Sequence, residues 1–424
     1  MTERITDPAV GCSKEVDVDV AVIGGGIVGL GIAWAVAHSG RTVVVIDPEP
    51  ASGATYAAAG MLAPVSEFHY QEEGLLELML ASSALYPEFI HSLGIGLDAT
   101  GYRSTRTLTV GADSADRQAI ADLSRVQRAN GLGIEPLSIR EARALEPLLS
   151  PQLAAAVSAP DDHQVDPRRL AACLQTVLES SARDRGIGHG VMIRQSATEL
   201  LHEPGTDASS RVTGVALADG SIVRAREVIV ANGLAAADLD GLPESLVCAL
   251  RPVFGDILRL RVPEHLRPLL TCTLRGLVHG VAIYLVPRSD NTVVIGATQR
   301  EDGSSAASAG GVYQLLRDAQ VLLPAVSELE LLEVTARARP GTPDNAPLLG
   351  RASRAGSTAG ETAEIPGLII ATGFFRHGVL LTPIAARYCL HLIEGTADER
   401  WSGFRPDRFS ASPTRSATQQ GVHS

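Results

Sequence analysis

The first strongly apolar run is Val18–Ile23 (VDVAVI), short, β-branched and followed by glycines, the texture of a buried parallel strand. It leads into Gly24-Gly25-Gly26-Ile27-Val28-Gly29 and an apolar helical stretch through His38, closed by Gly40. A second buried strand, Arg41–Ile46 (RTVVVI), ends at Asp47 and completes a βαβ unit in about thirty residues. Val165-Asp166-Pro167 predicts a helix start, with Asp166 as cap and Pro167 in the first turn. Val212–Leu217, Asp219-Gly220 and Ser221–Ala225 predict a hairpin, followed by another buried strand, Val228–Val230. The parallel-sheet texture returns at Gly367–Ala371, and Thr382-Pro383 start a helix to Ile393.

Between these stretches the pattern changes. Residues 93–150 and 248–332 carry more alternating runs, such as Ala282–Val286 and Thr292–Ile295, as half-buried antiparallel strands do. The expected architecture is α/β. A parallel-sheet domain is assembled from residues 18–92, 151–247 and 333–400, and an antiparallel-sheet domain, 93–150 and 248–332, is inserted into it. Residues 1–17 and 401–424 read as flexible tails, Gly303–Gly311 as a small-residue linker and Arg351–Glu364 as a mobile loop. There are no internal repeats.

Composition removes several chemistries. The chain has 424 residues and a formal net charge of −12, with no basic run for a phosphate backbone or an anionic membrane. Its single lysine, Lys14, precedes the first apolar run, so a Schiff-base or phosphate-loop lysine has no donor. Cys12, Cys173, Cys248, Cys272 and Cys389 are scattered, which argues against a disulfide framework and fits a reducing compartment. The histidines lack zinc-ligand spacing, so no metal site is expected. Residues 1–17 do not read as a signal peptide. Val20–Ala37 is uncharged, but its glycines and strand–turn–helix pattern favour a soluble, cytoplasmic protein over a membrane span.

The candidate chemistry starts at Gly24-x-Gly26-x-x-Gly29. Glycines permit a tight turn and close approach of backbone to a pyrophosphate, whose charge sits at a helix N-terminus. Asp47 stands where an acid would bind ribose hydroxyls. Because the motif follows a strand and opens a helix, a Rossmann-like adenine-dinucleotide site is favoured over a bare glycine turn. The next segment, Ser52–Pro64, is a long run of small residues that a nicotinamide dehydrogenase does not need there. It points to FAD, whose ring lies across the domain; the plainer alternative is a small-residue helix start.

Four features together carry a resemblance: the βαβ unit, the GATYAAAGMLAP loop (Gly53–Pro64), RPGTPDNAPLLG (Arg339–Gly350) and ATGFFRHGVLLTP (Ala371–Pro383). In this order they resemble the D-amino-acid oxidase superfamily, and within it the glycine oxidases of bacterial thiamine biosynthesis, over residues 18 to 395. The resemblance implies non-covalent FAD held by Gly24, Gly26, Ile27, Val28, Gly29, Asp47, Ala54, Thr55, Ala59, Gly60 and Met61. It also implies contacts from Gly373, Phe374, Phe375, Arg376, His377, Gly378, Val379 and Leu380, a loop that wraps the flavin ring. The helix starting at Thr382 turns its positive end toward whatever that loop holds, a fitting partner for the charge of reduced flavin.

Arg339 has the fork of donors that suits a carboxylate, and the family uses this position for the substrate's carboxylate. Arg376 matches a family arginine near substrate and cofactor. Tyr284 reads either as a pocket hydroxyl or as a half-buried strand aromatic. The implied activity is oxidation of a small amino acid or amine at its α-carbon, with molecular oxygen as second substrate, hydrogen peroxide as product, and a homo-oligomeric enzyme. Two departures bear on the substrate. Phe374 stands where glycine oxidases often carry a polar residue, and Phe254-Gly255-Asp256 replaces a usual Gly-Gln pairing after Arg-Pro. The alternatives are a D-amino-acid dehydrogenase with another electron acceptor and a flavin-bearing binding or maturation protein.

Overall fold

The protein is seen here as a computed structural model describing residues 15–70, 72–186, 191–204, 210–244, 246–353 and 364–410. The first strand, Glu15–Ile23, begins before the apolar run because its polar start still pairs with Ile222–Arg224. It leads into the helix Ile27–His38, buried on nearly every face. That helix lies against the helix Thr382–Glu394 at Gly31, where a β-carbon would fall 2.4 Å from the Thr382 methyl.

The first large sheet has a parallel core. Glu364–Thr372, Ile222–Val230, Glu15–Ile23, Val43–Ile46 and Met192–Ile193 lie side by side in that order. Leu348–Ser353 adds an antiparallel edge. The expected hairpin forms, but its second arm and the expected strand at Val228 are one strand, Ile222–Val230. Its start pairs with Val212–Leu217 and its end with Glu364–Thr372, so one strand edge serves two neighbours in turn. The helix Pro167–Asp184 starts as expected, with the Asp166 carboxylate accepting N–H bonds from Arg168 and Arg169 at 3.0 and 3.4 Å.

Among the described residues the second sheet has eight strands, running from Glu330–Gly341 through Arg251–Arg261, Thr292–Gly296, Val281–Pro287, Thr273–Val278, Thr107–Gly111 and Ala155–Ala159 to Glu135–Leu137. All its pairings are antiparallel except that of Thr273–Val278 with Thr107–Gly111. By hydrogen bonding it takes in residues 155–159 and 330–341, so it reaches past the boundaries expected at 151 and 333. The helix Ala309–Leu322 buries Leu315, Ala319 and Leu322 with this sheet's leucines, valines and isoleucines in one hydrophobic cluster.

Two loop expectations change. The helix cap Ser308 already lies within Gly303–Gly311, its hydroxyl accepting the Gly311 N–H at 3.2 Å. Residues 351–353 and 364 belong to strands, and 354–363 lie outside the described residues. Of the expected tails, 1–14 and 411–424 also lie outside them. Residues 399–409 are not loose, however. They form two short 3-10 turns that bury Trp401 and Phe404, while Arg408 donates to the Pro347 carbonyl.

Candidate active site

One face of the site is built from backbone. Gly24 has φ 108°, and a β-carbon there would fall 2.5 Å from the Ala231 carbonyl oxygen. The Gly25 N–H donates to the Asp47 carboxylate at 2.6 Å, and the Glu49 N–H does so at 2.8 Å. The Asp47 carboxylate therefore holds the loop as well as bordering the cavity. Thr55, on the short helix Ala54–Ala57, accepts the Ile27 N–H at 3.0 Å and ties the small-residue segment to the first helix. Gly60 has φ 72°, and a β-carbon there would fall 2.0 Å from the Val165 carbonyl oxygen.

A cavity of about 590 Å³ lies between this face and the second sheet. Gly24, Gly26, Ile27, Val28, Asp47, Ala54, Thr55, Ala59, Gly60 and Met61 border it, as do Phe374, Phe375, Arg376, Gly378, Val379, Arg339 and Tyr284. Four expected residues do not. Gly29 packs under the loop, where a β-carbon would fall 2.0 Å from the Gly24 carbonyl oxygen. A β-carbon on Gly373 would fall 2.7 Å from the Thr342 methyl. His377 and Leu380 are fully buried behind the cavity wall.

The loop before the helix Thr382–Glu394 is held from outside. Tyr86 and Ser82, on the helix Glu73–Ser92, donate hydroxyl bonds to the Val379 and Leu380 carbonyls at 2.8 and 2.6 Å. Phe375 has φ 46°, rare for a bulky residue, and its N–H donates to the Pro340 carbonyl at 2.9 Å. Such strain persists only where its surroundings enforce it, and here it borders the cavity.

The opposite face is built from side chains. Gly255 makes room for Arg339, since a β-carbon there would fall 2.3 Å from a guanidinium nitrogen. Among the described residues Arg339 forms no ion pair with a carboxylate. Its charge is instead felt by Tyr284, half-buried beside it, whose phenol burial pushes above its usual pKa and Arg339 draws back down. The Tyr284 ring crosses Gly296, where a β-carbon would fall 2.4 Å from the hydroxyl. Arg376, by contrast, is engaged: it pairs with Glu72 and gives its Nε–H to His377 Nε2 at 3.1 Å.

Sequence reasoning missed several neighbours. Arg275, across the strand pair from Tyr284, gives Nη1 to the Glu67 carboxylate at 2.9 Å. His69 also borders the cavity, and burial, helped by Arg376 and Arg275, lowers its pKa to about 4, keeping it neutral. Arg288, at the end of the strand Val281–Pro287, reaches across to the backbone face. It donates to the carbonyls of Ala59 and Val165, the latter at 2.9 Å. Glu67 and His69 stand out in retrospect as ionisable residues following a run of small ones. Arg275 and Arg288 carried no local signal in an arginine-rich chain.

The two sequence departures prove distinct. Phe374 borders the cavity and is buried in the main core. Asp256 points the other way, toward the helix Ala309–Leu322, and accepts from the Thr298 hydroxyl at 2.8 Å and from Arg300 at 3.1 Å.

Comparison with known proteins places this geometry. A family profile described as FAD dependent oxidoreductase matches residues 19–392. The chain belongs to the FAD dependent oxidoreductase family. This is the D-amino-acid oxidase superfamily that its motifs resemble. It is 32% identical to a glycine oxidase of Geobacillus kaustophilus over 89% of this chain and 93% of that one. The crystal structure of that organism's glycine oxidase superposes with a TM-score of 0.78 at 28% identity, covering 93% of this chain and 99% of that one. A bifunctional protein ThiO/ThiG of Nostoc sp. is 32% identical over 92% of this chain. The chain spans only 55% of that relative's length. A putative thiamine biosynthesis oxidoreductase ThiO of Rhizobium etli is 28% identical over 87% of this chain and 94% of that one.

The cavity fits the family's FAD on its own terms. The glycine loop offers a helix N-terminus and close backbone approach, and Asp47 stands at the end of the second strand. Asn232 borders the cavity with a buried side-chain oxygen that has no partner among the described residues, an acceptor suited to a ligand donor. Among the described residues no helix is long and apolar enough to cross a membrane, and no acidic, His or Cys group is placed to hold a metal.

Proposed function

We propose that the protein oxidises glycine or another small amino acid at its α-carbon. The observation that carries this reading is Arg339, a guanidinium bordering the cavity beside Tyr284 and paired with no carboxylate among the described residues. An unpaired arginine in a partly desolvated cavity is costly unless a substrate anion completes it, and its planar fork suits a carboxylate. Bound FAD would supply the two-electron acceptor, reoxidised by molecular oxygen with release of hydrogen peroxide. Gly24, Gly26, Asp47, Thr55, Ala59 and Gly60 would hold it on one side, and Phe374, Phe375, Arg376, Gly378 and Val379 on another.

The chain's own task is then placement. Arg339 would fix the carboxylate and Tyr284 would donate its hydroxyl beside it, leaving the α-carbon turned toward the cofactor side. A tyrosine phenol is protonated at neutral pH, and burial raises the Tyr284 pKa further. No side-chain base is required if the substrate amine arrives neutral. Two relatives named for glycine oxidation or thiamine biosynthesis support glycine as substrate and thiazole formation as destination. The unpaired cysteines Cys173, Cys248, Cys272 and Cys389 support a reducing, cytoplasmic setting. Exposed Leu331, Leu332 and Val334 on the edge strand Glu330–Gly341 support self-association.

The test is an anaerobic mix of the flavin-loaded protein with glycine, followed in the visible flavin band. Rapid bleaching, reversed by air with peroxide release, is the expected result. Bleaching that air does not reverse would replace the oxidase with a dehydrogenase. A flavin left oxidised by glycine, sarcosine, D-alanine and D-proline alike would end the amine-oxidation reading.

A further inference from the structure

The cavity face of the second sheet sets two arginines around one phenol. Arg275 and Tyr284 stand directly opposite each other on neighbouring antiparallel strands, so their side chains leave the same face. Tyr284 in turn faces Gly296 across the next strand pair. Arg339 reaches the same region over Gly255, near enough to act on the Tyr284 phenol, as Arg275 and Glu67 also do. A substrate carboxylate held by Arg339 and Tyr284 therefore has the Arg275 side of the cavity as its next neighbour.

The two arginines differ in what already neutralises them. Arg275 is paired at 2.9 Å with Glu67, and the two side chains are 13% and 8% exposed. Glu67 is not free to swing away: the turn before it is pinned by Asp162, fully buried, which accepts the Val65 and Ser66 N–H groups at 3.1 and 3.0 Å. The third arginine, Arg376, is cancelled by Glu72 in the same manner. In this low-dielectric setting a second substrate carboxylate beside Arg275 would meet Glu67 with little water to screen it.

We propose that Glu67, by cancelling Arg275, restricts the pocket to substrates with a single carboxylate and rejects dicarboxylic amines. This rests on reading Arg339 as the carboxylate clamp. Glu67 acts as a specificity-determining residue through Arg275, not as an acid or base in the reaction. Neutralising Glu67 adds one net positive charge on the Arg275 side of the cavity; removing Arg275 instead leaves one net negative charge there. The two changes must move selectivity in opposite directions, which a general loosening of the fold would not do.

The experiment titrates the flavin-loaded protein with acetate, malonate, succinate and glutarate, following the perturbation of the flavin's visible spectrum. Glu67→Gln is expected to tighten at least one dicarboxylate about tenfold relative to acetate. Arg275→Met is expected to weaken dicarboxylates about tenfold relative to acetate, and the double variant to return to the wild-type ratio. Unchanged ratios in Glu67→Gln, or ratios that move the same way in both single variants, overturn the proposal. If one variant fails to retain flavin, the other decides alone, because each carries its own signed expectation. Arg339→Met separates the two levels of the argument. If it leaves acetate binding intact, the clamp itself is wrong; if acetate is lost there while the ratios stay fixed in the other variants, only the role of Glu67 fails.

Discussion

The two walls of the cavity are made from opposite materials. On the parallel-sheet side the contacts come from backbone exposed by missing side chains, at Gly24, Ala54, Ala59 and Gly60. On the antiparallel-sheet side they come from long side chains, Arg339, Tyr284 and Arg275, with Glu67 reaching Arg275 from the turn after the small-residue segment. A cofactor that stays bound can be gripped by main-chain groups that have one fixed arrangement. A substrate that comes and goes is gripped by charge, whose sign and number can be set residue by residue. Substitutions on the first wall should therefore act all or none on the bound flavin, and those on the second should be graded in turnover with the flavin retained.

The largest effect is expected at Gly60. A valine there meets both a positive φ and the Val165 carbonyl, so Gly60→Val should purify without flavin, read from the ratio of visible to ultraviolet absorbance. Next comes Arg339→Leu, which should retain flavin but lower kcat/KM for the amino acid about a thousandfold, the ~4 kcal/mol of a desolvated carboxylate clamp. A colourless Arg339→Leu would break the division between the walls. Arg288→Met tests the strut joining them. Losing charged-donor bonds worth ~1.5–3 kcal/mol should weaken FAD binding by the apoprotein about tenfold or more, measured by fluorescence titration.

Tyr284→Phe should raise KM several-fold and leave the visible spectrum unchanged, since one hydroxyl bond contributes ~1 kcal/mol. A further prediction concerns pH and stability, not turnover. Burial raises the Asp162 pKa from its ordinary 3.8 to about 6. Between those values the folded state holds the extra proton, so stability should fall as pH rises through this window. Denaturant midpoints measured from pH 4 to 6.5 should show that slope, and Asp162→Asn should flatten it.

The same contrast explains what was legible in the sequence. Gly24-x-Gly26-x-x-Gly29 and Asp166-Pro167 announce themselves because their physics is local: a turn, a cap, a helix start. Arg275 and Glu67 lie 208 positions apart, and Arg288 lies 229 from Ala59, so no window along the chain shows that they meet. Phe254-Gly255-Asp256 reads as one departure from the family pattern. Strand alternation splits it, sending the empty side of Gly255 to Arg339 and the Asp256 carboxylate to the opposite helix. Arg376 was recognisable by position, but its engagement with Glu72 was not, because Glu72 lies 304 positions away, just before the helix Glu73–Ser92. Residues 401–409, expected within a flexible tail, are held for a similar reason: Trp401 and Phe404 are aromatics in a polar stretch, yet enough to seat these residues.

The placement of Glu364–Thr372 inside the first sheet has a consequence for synthesis on the ribosome. Its partner, Ile222–Val230, emerges long before it, with Val228, Ile229 and Val230 waiting along an uncovered edge while the whole second stretch of the antiparallel domain is translated. Until residue 372 leaves the exit tunnel, that valine–isoleucine edge is open to any other strand, including one from a neighbouring nascent chain. A polypeptide halted after the helix Ala309–Leu322 would therefore be adhesive rather than merely inactive, and would depend on a chaperone to remain in solution.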